Sequence, residues 1–240
     1  MPKYIDAHCH LPTLEPFADV FARANANGTV GCVLNAVVEA DWDKIITISG
    51  SHKNVAGAIG IHPWYVDTAS PNWANNMRAI LNDNPQIMVG EVGLDKTHEN
   101  FAAQESIFIQ SLEIAIEYKR VLNLHCVHAW DRVLHILKSY KNELPKIVAH
   151  GFDGTENAIK FDENLYFSIG PNMLKPNYNK IKLSIGELPK NKILLESDST
   201  NLMPVLDVAN MIFNMRLDIN ADDIYNNTMG VFFNDQITQN

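Results

Sequence analysis

Long apolar runs, clustered basic residues and paired cysteines are all missing from this sequence, and each absence removes a class of protein. No stretch of ~20 apolar residues occurs, so no membrane-spanning helix is expected. The opening residues Met1-Pro2-Lys3-Tyr4-Ile5-Asp6-Ala7-His8 hold no apolar segment of signal-peptide length, so no leader is expected either. Lys and Arg number 19 against 28 Asp and Glu, a formal charge of -9, and the basic residues form no run. Tight electrostatic binding of nucleic acid needs clustered Lys and Arg, because its driving force is counterion release from phosphates. A nucleic-acid substrate stays open, since bound cations would add positive charge that this count omits. The cysteines are Cys9, Cys32 and Cys126. Their spacing fits neither a disulfide framework nor a CxxC zinc motif, and a reducing cytoplasm is the expected setting. Nothing in the sequence marks an obligate protein partner, and a monomer is the default.

What is present is an alternation. Short apolar runs at Tyr4–Ala7, Val30–Val37, Val55–Ile61, Gln86–Glu91, Val121–Cys126, Lys146–Ala149, Leu165–Ile169 and Ile193–Glu196 read as strands. They recur at roughly 30-residue spacing, the size of one βα unit. The run Val30–Val38 is continuously apolar apart from Gly31 and Asn35, as buried parallel strands are. Helical patterns lie between: Phe17–Asn27, Trp42–Ser51, Trp73–Asn82, Phe101–Tyr118, Arg132–Tyr140, Thr155–Phe161, Tyr178–Glu187 and Val205–Leu217. Asp41 and Asn72 stand where N-caps are expected. A last segment, Asp222–Phe233, is expected to cover the end of the structure. Eight strands each followed by a helix, in 240 residues against the ~250 typical of the fold, give a single-domain (β/α)8 TIM barrel over residues 1–240 with a C-terminal helix covering it. The rival is a doubly wound open sheet, but the Gly-rich dinucleotide loop expected after its first strand is missing.

Working residues of such a barrel sit at the C-terminal ends of its strands. Strand one ends Asp6-Ala7-His8-Cys9-His10. The two-residue spacing puts both imidazoles on one side of an extended chain, where they can converge on a cation. Strand four leads into Glu91 and Asp95, strand five into His125, strand six into His150, and strand eight into Asp198. A single strand-end histidine is ordinarily just packed or hydrogen-bonded. Five of eight ends carrying His or carboxylate is different. All would face one mouth, where burying them without a cation leaves charged groups costly to satisfy.

The chain at this point resembles the TatD-type metal-dependent hydrolases of the amidohydrolase-like barrel superfamily, over nearly its whole length. The marks are Asp6-Ala7-His8-Cys9-His10-Leu11, Gly60-Ile61-His62-Pro63, Gly90-Glu91-Val92-Gly93-Leu94-Asp95, His125-Cys126, His150-Gly151-Phe152-Asp153-Gly154 and Glu196-Ser197-Asp198, with weaker echoes at Gln104, Phe108, Asn227 and Phe232. The resemblance implies one or two divalent metal ions, of Zn, Mn, Mg, Ni or Co. His8 and His10 would bind one, Glu91 would bridge or join two, and His125 and His150 would bind the second. Asp198 would face the first metal and the attacking water, with Asp198 and Glu91 the catalytic pair. Two such ions ~3.5–4 Å apart polarise the electrophile and lower the pKa of bound water. Asp198 can take that water's proton as general base. His62 has no required ligand role in this scheme; it either contacts substrate or shapes the loop with Pro63.

The substrate surface departs from the family's usual pattern. An Arg usually stands two positions after the strand-five histidine, where it can grip two phosphate oxygens; here that position is Val127, with His128 beside it as a pH-dependent substitute. An Arg-x-Asn-x-Pro loop usually follows the strand-eight Asp, and this chain instead has Ser199-Thr200-Asn201-Leu202-Met203-Pro204. Lys96, next to Asp95, could restore one positive charge. The expected activity is metal-dependent hydrolysis of a phosphoester, with DNA a candidate substrate and a deoxyribonuclease the family-based reading. The alternative is an amidase, lactonase or esterase acting on a small molecule, which needs the same activated water and no phosphate-binding Arg. A non-catalytic binding protein would be expected to have lost ligands, and none is lost.

Overall fold

The structure is a computed structural model that describes residues 2–202 and 205–233. Met203 and Pro204 of the loop after Asp198, and the two ends of the 1–240 domain, lie outside the described residues. Eight strands, β1 (Tyr4–Cys9), β2 (Thr29–Asn35), β3 (Val55–Ile59), β4 (Met88–Asp95), β5 (Leu122–Val127), β6 (Ile147–Ala149), β7 (Leu165–Ile169) and β8 (Ile193–Leu195), pair in parallel in chain order. The helices between and after them are α1 (Phe17–Ala26), α2 (Trp42–Ser51), α3 (Trp73–Asp83), α4 (Phe101–Glu117), α5 (Trp130–Ser139), α6 (Glu156–Ile159), α7 (Asn179–Ser184), α8 (Val205–Met215) and α9 (Ala221–Phe232). This is a single-domain (β/α)8 barrel. The mouth is closed between the last strand and the first: Asp198 N–H donates to the His8 carbonyl at 3.0 Å, and His10 N–H to the Ser199 carbonyl at 3.2 Å. None of the described helices is long and apolar enough to cross a membrane.

The interior has two halves. Toward the N-terminal ends of the strands, Ile5, Ala7, Val33, Ala56, Ala58, Met88, Val148 and Leu194 pack in one apolar cluster. The end of α9 closes it with Val231 and Phe232, joined by Phe233, so the expected C-terminal cover lies over this end. The helix starts in a reciprocal cap, Asn220 Oδ1 accepting from Asp223 N–H at 3.0 Å and Asp223 Oδ2 from Asn220 N–H at 2.9 Å. Because side chains alternate along a strand, the next inward positions are Asn35 on β2, Asn123 and His125 on β5, His150 after β6, and Glu196 and Asp198 after β8. The interior therefore turns polar within one or two side-chain layers.

Two strands break that alternation where the site begins. Between the pairs Asp6↔Cys32 and Cys9↔Leu34, β1 advances three residues against two on β2. Between Val89↔Leu122 and Val92↔Leu124, β4 does the same against β5. An extra residue re-aims the side chains around it. It lets His8 follow Ala7 to the barrel interior, and it lies at Gly90-Glu91 on β4. The Gly60 and Gly93 positions are fixed by the same crowding. A Cβ on Gly60 would lie 2.5 Å from the Glu91 carbonyl, and one on Gly93, whose φ is 153°, would lie 1.9 Å from the His125 carbonyl.

Asp41 and Asn72 stand at the N-cap positions expected of them, but neither side chain makes the capping hydrogen bond to its helix. Asp41 ends a 3-10 turn, Glu39–Asp41, and its carboxylate turns back to accept from Val37 and Val38 N–H at 3.2 and 3.3 Å. Asn72 instead accepts from Asn75 Nδ2 at 2.7 Å.

Candidate metal centre

Glu91 is the hub. Its side chain is buried, and four imidazoles converge on it. His125 Nδ1 lies 2.6 Å, His150 Nε2 2.8 Å and His62 Nε2 3.2 Å from Oε1, while His8 Nε2 lies 3.3 Å from Oε2. His10 Nε2 reaches to 3.7 Å of Oε2 and 3.3 Å of Asp198 Oδ1. The rings stack in turn, His8 on His150 with centroids 3.9 Å apart and 12° between planes. Asp198 is the exposed member of the group and faces solvent.

A second layer holds these rings. His125 Nε2 lies 3.2 Å from Asp95 Oδ2. Asp95 also accepts from Trp64 Nε1 at 2.7 Å and from Thr97 N–H and Oγ1 at 2.8 and 2.6 Å. Gln104 pins its backbone, accepting from Asp95 N–H and donating to the Asp95 carbonyl. Behind His150, Glu196 Oε1 lies 3.6 Å from Nδ1 and accepts from Gly151 N–H at 2.6 Å. Behind β1, Asp6 Oδ1 accepts from His8 and Ser197 N–H. His10 Nδ1 lies 3.2 Å from the Asn35 carbonyl. Carboxylates and carbonyls placed against the far nitrogen of an imidazole fix its tautomer and orientation.

The electrostatics follow from burial and crowding. Burial opposes charge on Glu91, but the surrounding histidines outweigh it and hold its carboxyl well below the usual range. His8 falls to about 3, by burial first and then by repulsion from His150. Burial also opposes His150, yet Glu91 and Glu196 raise its pKa well above the ordinary value. At Asp198 partial desolvation is outweighed by the His10 hydrogen bond and the charge of His150, and its carboxyl drops to about 2. Asp6 moves the other way, pushed up to about 7 by burial.

The donor set suits a divalent cation. Among the described residues, three groups of three have their ligand atoms within 4.8 Å of one another: His8, His10 and Asp198; His8, Glu91 and His150; and His62, Glu91 and His125. Nitrogen and carboxylate oxygen together suit Zn, Mn, Ni or Co. Both ring nitrogens of His8 and the Oε2 of Glu91 are buried without a hydrogen-bond partner, although His8 Nε2 and Oε2 stand only 3.3 Å apart. Two lone-pair-bearing atoms so placed fit a cation lying between them.

Of the residues singled out in the sequence, His8, His10, Glu91, His125, His150 and Asp198 are brought together here. His62 lies against Glu91 in the same buried cluster. His128 is exposed, with φ 52°, and belongs to none of the three groups. Asp6, Asp95 and Glu196 had no assigned role in the sequence reading. A signal exists for two of them: Asp95 stands four residues from Glu91 on β4 and Glu196 two residues from Asp198 just after β8, so each shares a cluster member's face, whereas the extra residue on β1 puts Asp6 and His8 on different faces.

The sequence profile of the family described as "TatD related DNase" matches residues 5–212. The chain is 27% identical over 192 residues to the 3'-5' ssDNA/RNA exonuclease TatD of Cronobacter sakazakii, covering 78% of this chain and 73% of that protein. It is 27% identical over 219 residues to an uncharacterized metal-dependent hydrolase of Haemophilus influenzae, covering 84% and 82%. The crystal structure of YJJV, a TatD homologue from Escherichia coli K12, superposes with a TM-score of 0.85 at 23% identity, covering 95% of this chain and 97% of that one.

Proposed function

Since the chain belongs to the TatD related DNase family, we propose that it is a metal-dependent hydrolase that cleaves phosphodiester bonds, with single-stranded DNA or RNA as substrate. The observation that carries the reading is the buried Glu91 carboxylate ringed by imidazoles at the mouth of the barrel. The names of the relatives support the substrate, and they favour it over the small-molecule amidase, lactonase or esterase.

His8, His10, Asp198, Glu91, His125 and His150 would together hold one or two divalent ions. Bound there, the metal supplies Lewis acidity to the phosphoryl oxygen and acidifies a water. The chain's own residues do the rest. Asp198, with its carboxyl lowered to about 2, is ionised at neutral pH and free to accept a proton at an oxygen facing solvent. His10, 3.3 Å away, orients that carboxylate. Asp95 and Glu196 keep the His125 and His150 rings turned toward Glu91. We also take the protein to work in a reducing cytoplasm, which its three unpaired cysteines support, and as a monomer by default.

A panel of single-stranded DNA, RNA, chromogenic phosphodiesters, carboxylic esters and lactones, each with Mg, Mn and Zn, tests the reading. Metal-dependent release of nucleotides is expected. Turnover of esters or lactones with no phosphodiester cleaved under any metal would overturn it.

A further inference from the structure

The chain has four tryptophans, and three are buried: Trp42 at 3%, Trp73 at 7% and Trp130 at 6% exposure. Trp64 stands at 49%, immediately beside the Glu91 cluster. Its neighbour Tyr65 is 40% exposed. An indole left half in water gives up much of its burial energy, so its position calls for another reason.

The indole is also held rigidly. Trp64 Nε1 donates to Asp95 Oδ2 at 2.7 Å, and its ring stacks on His98 with centroids 4.3 Å apart and 18° between planes. His62, one ring away from Glu91, meets Trp64 edge-on at 5.0 Å. Asn100 Nδ2 donates to Asp67 Oδ2 at 2.5 Å, tying the loop that carries His98 to the 3-10 segment Pro63–Thr68 that carries Trp64. A large, fixed, half-exposed π-surface therefore borders the place where the phosphodiester would react.

We propose that Trp64, with its stacked partner His98, is a stacking platform for a nucleobase of a single-stranded nucleic acid, next to the phosphodiester at the Glu91 cluster. The inference rests on the phosphodiester reading above. Stacking on an aromatic face is sequence-tolerant, because every base has a π-face, and it requires an unpaired base. It also needs no positive charge. That matches a chain of net charge -9 with Val127 two residues past His125, in which phosphate contacts from arginine are scarce at this end of β5. The other role open to Trp64 is to prop Asp95 through its N–H alone.

Two variants separate these roles. Trp64→Phe keeps the aromatic face and loses the N–H; Trp64→Leu loses both. Binding is read by fluorescence anisotropy of a labelled, hydrolysis-resistant phosphorothioate oligonucleotide on the metal-loaded enzyme. The same oligomer with abasic sites at its cleaved end serves as control, and cleavage of ordinary single-stranded DNA is measured alongside. The expected result is about tenfold weaker binding by Trp64→Leu, near-normal binding by Trp64→Phe, and a comparable loss for wild type on the abasic oligomer that Trp64→Leu does not add to. Equal losses in both variants would make Trp64 a prop for Asp95 and overturn the proposal. So would unchanged binding by Trp64→Leu in an enzyme that still cleaves DNA, and that result leaves the phosphodiester reading standing. A wild type that neither binds nor cleaves overturns both.

Discussion

The two ends of the barrel interior are built from the same eight strands on opposite principles. At the N-terminal end, Ile5, Val33, Met88, Val148 and Leu194 pack with Phe232 and Phe233 in an apolar cluster. At the C-terminal end, one or two side-chain layers away, Glu91, Asp198 and five histidines crowd together with buried atoms that lack hydrogen-bond partners. Burial of the first kind stabilises by roughly 25 cal/mol per Å². Burial of the second kind costs free energy unless the charges are paired. The difference teaches that fold and function are divided along the barrel axis: one end holds the strands together and lets the other carry unfavourable chemistry.

That division can be broken or sharpened by experiment. Asp198→Asn is expected to lower hydrolysis by about 10²–10⁴-fold, the usual worth of a positioned acid–base group, and His125→Ala to abolish it through loss of a metal ligand, while the thermal midpoint of the metal-free protein hardly falls. A large stability loss in either would erase the contrast between the ends. Phe232→Ala, at the other end, is expected to destabilise by about 3–5 kcal/mol in denaturant titrations. Its kcat below the unfolding transition should stay at the wild-type value.

Metal addition gives the third comparison. At a hundred times its dissociation constant a ligand adds about 2.7 kcal/mol of stability. That gain is expected in wild type and undiminished in Phe232→Ala, because the two sites share no side chains. The sign of its pH dependence follows from His150. Its pKa is raised above the ordinary imidazole value, so the metal-free site holds a proton that metal must displace. Affinity should therefore fall as pH is lowered, with proton release visible by calorimetry in buffers of different ionisation heat. The smallest effect is expected at the second layer. Glu196→Gln should weaken metal binding by about 10–100-fold through a misoriented His150, with no ligand removed.

Much of this was legible in the sequence, and for a physical reason. A buried parallel strand must be apolar along its length, so each of the eight runs announced itself; the run Leu165–Ile169 coincides with β7. Strand ends carry the chemistry, so His8, His10, His125 and His150 stood out as histidines just where apolar runs stop. What did not show was register. Nothing in the letters Val-Gly-Glu-Val says that β4 spends an extra residue there, since a bulge is a property of the pairing between two strands. The cap positions were legible but not their bonding: the Asp41 side chain accepts from Val37 and Val38 N–H rather than from the helix it precedes. Asp95 and Glu196 follow from the alternation rule, four residues from Glu91 and two from Asp198, whereas Asp6 is hidden by the extra residue on β1.

The most direct test of the metal centre is an anomalous-scattering map of crystals grown with Mn or Zn, paired with elemental analysis. The expected result is one or two ions bonded to Glu91 and its histidines, and if two, ~3.5–4 Å apart. An ion bound elsewhere, with Glu91 making only hydrogen bonds to His125 and His150, would contradict the account.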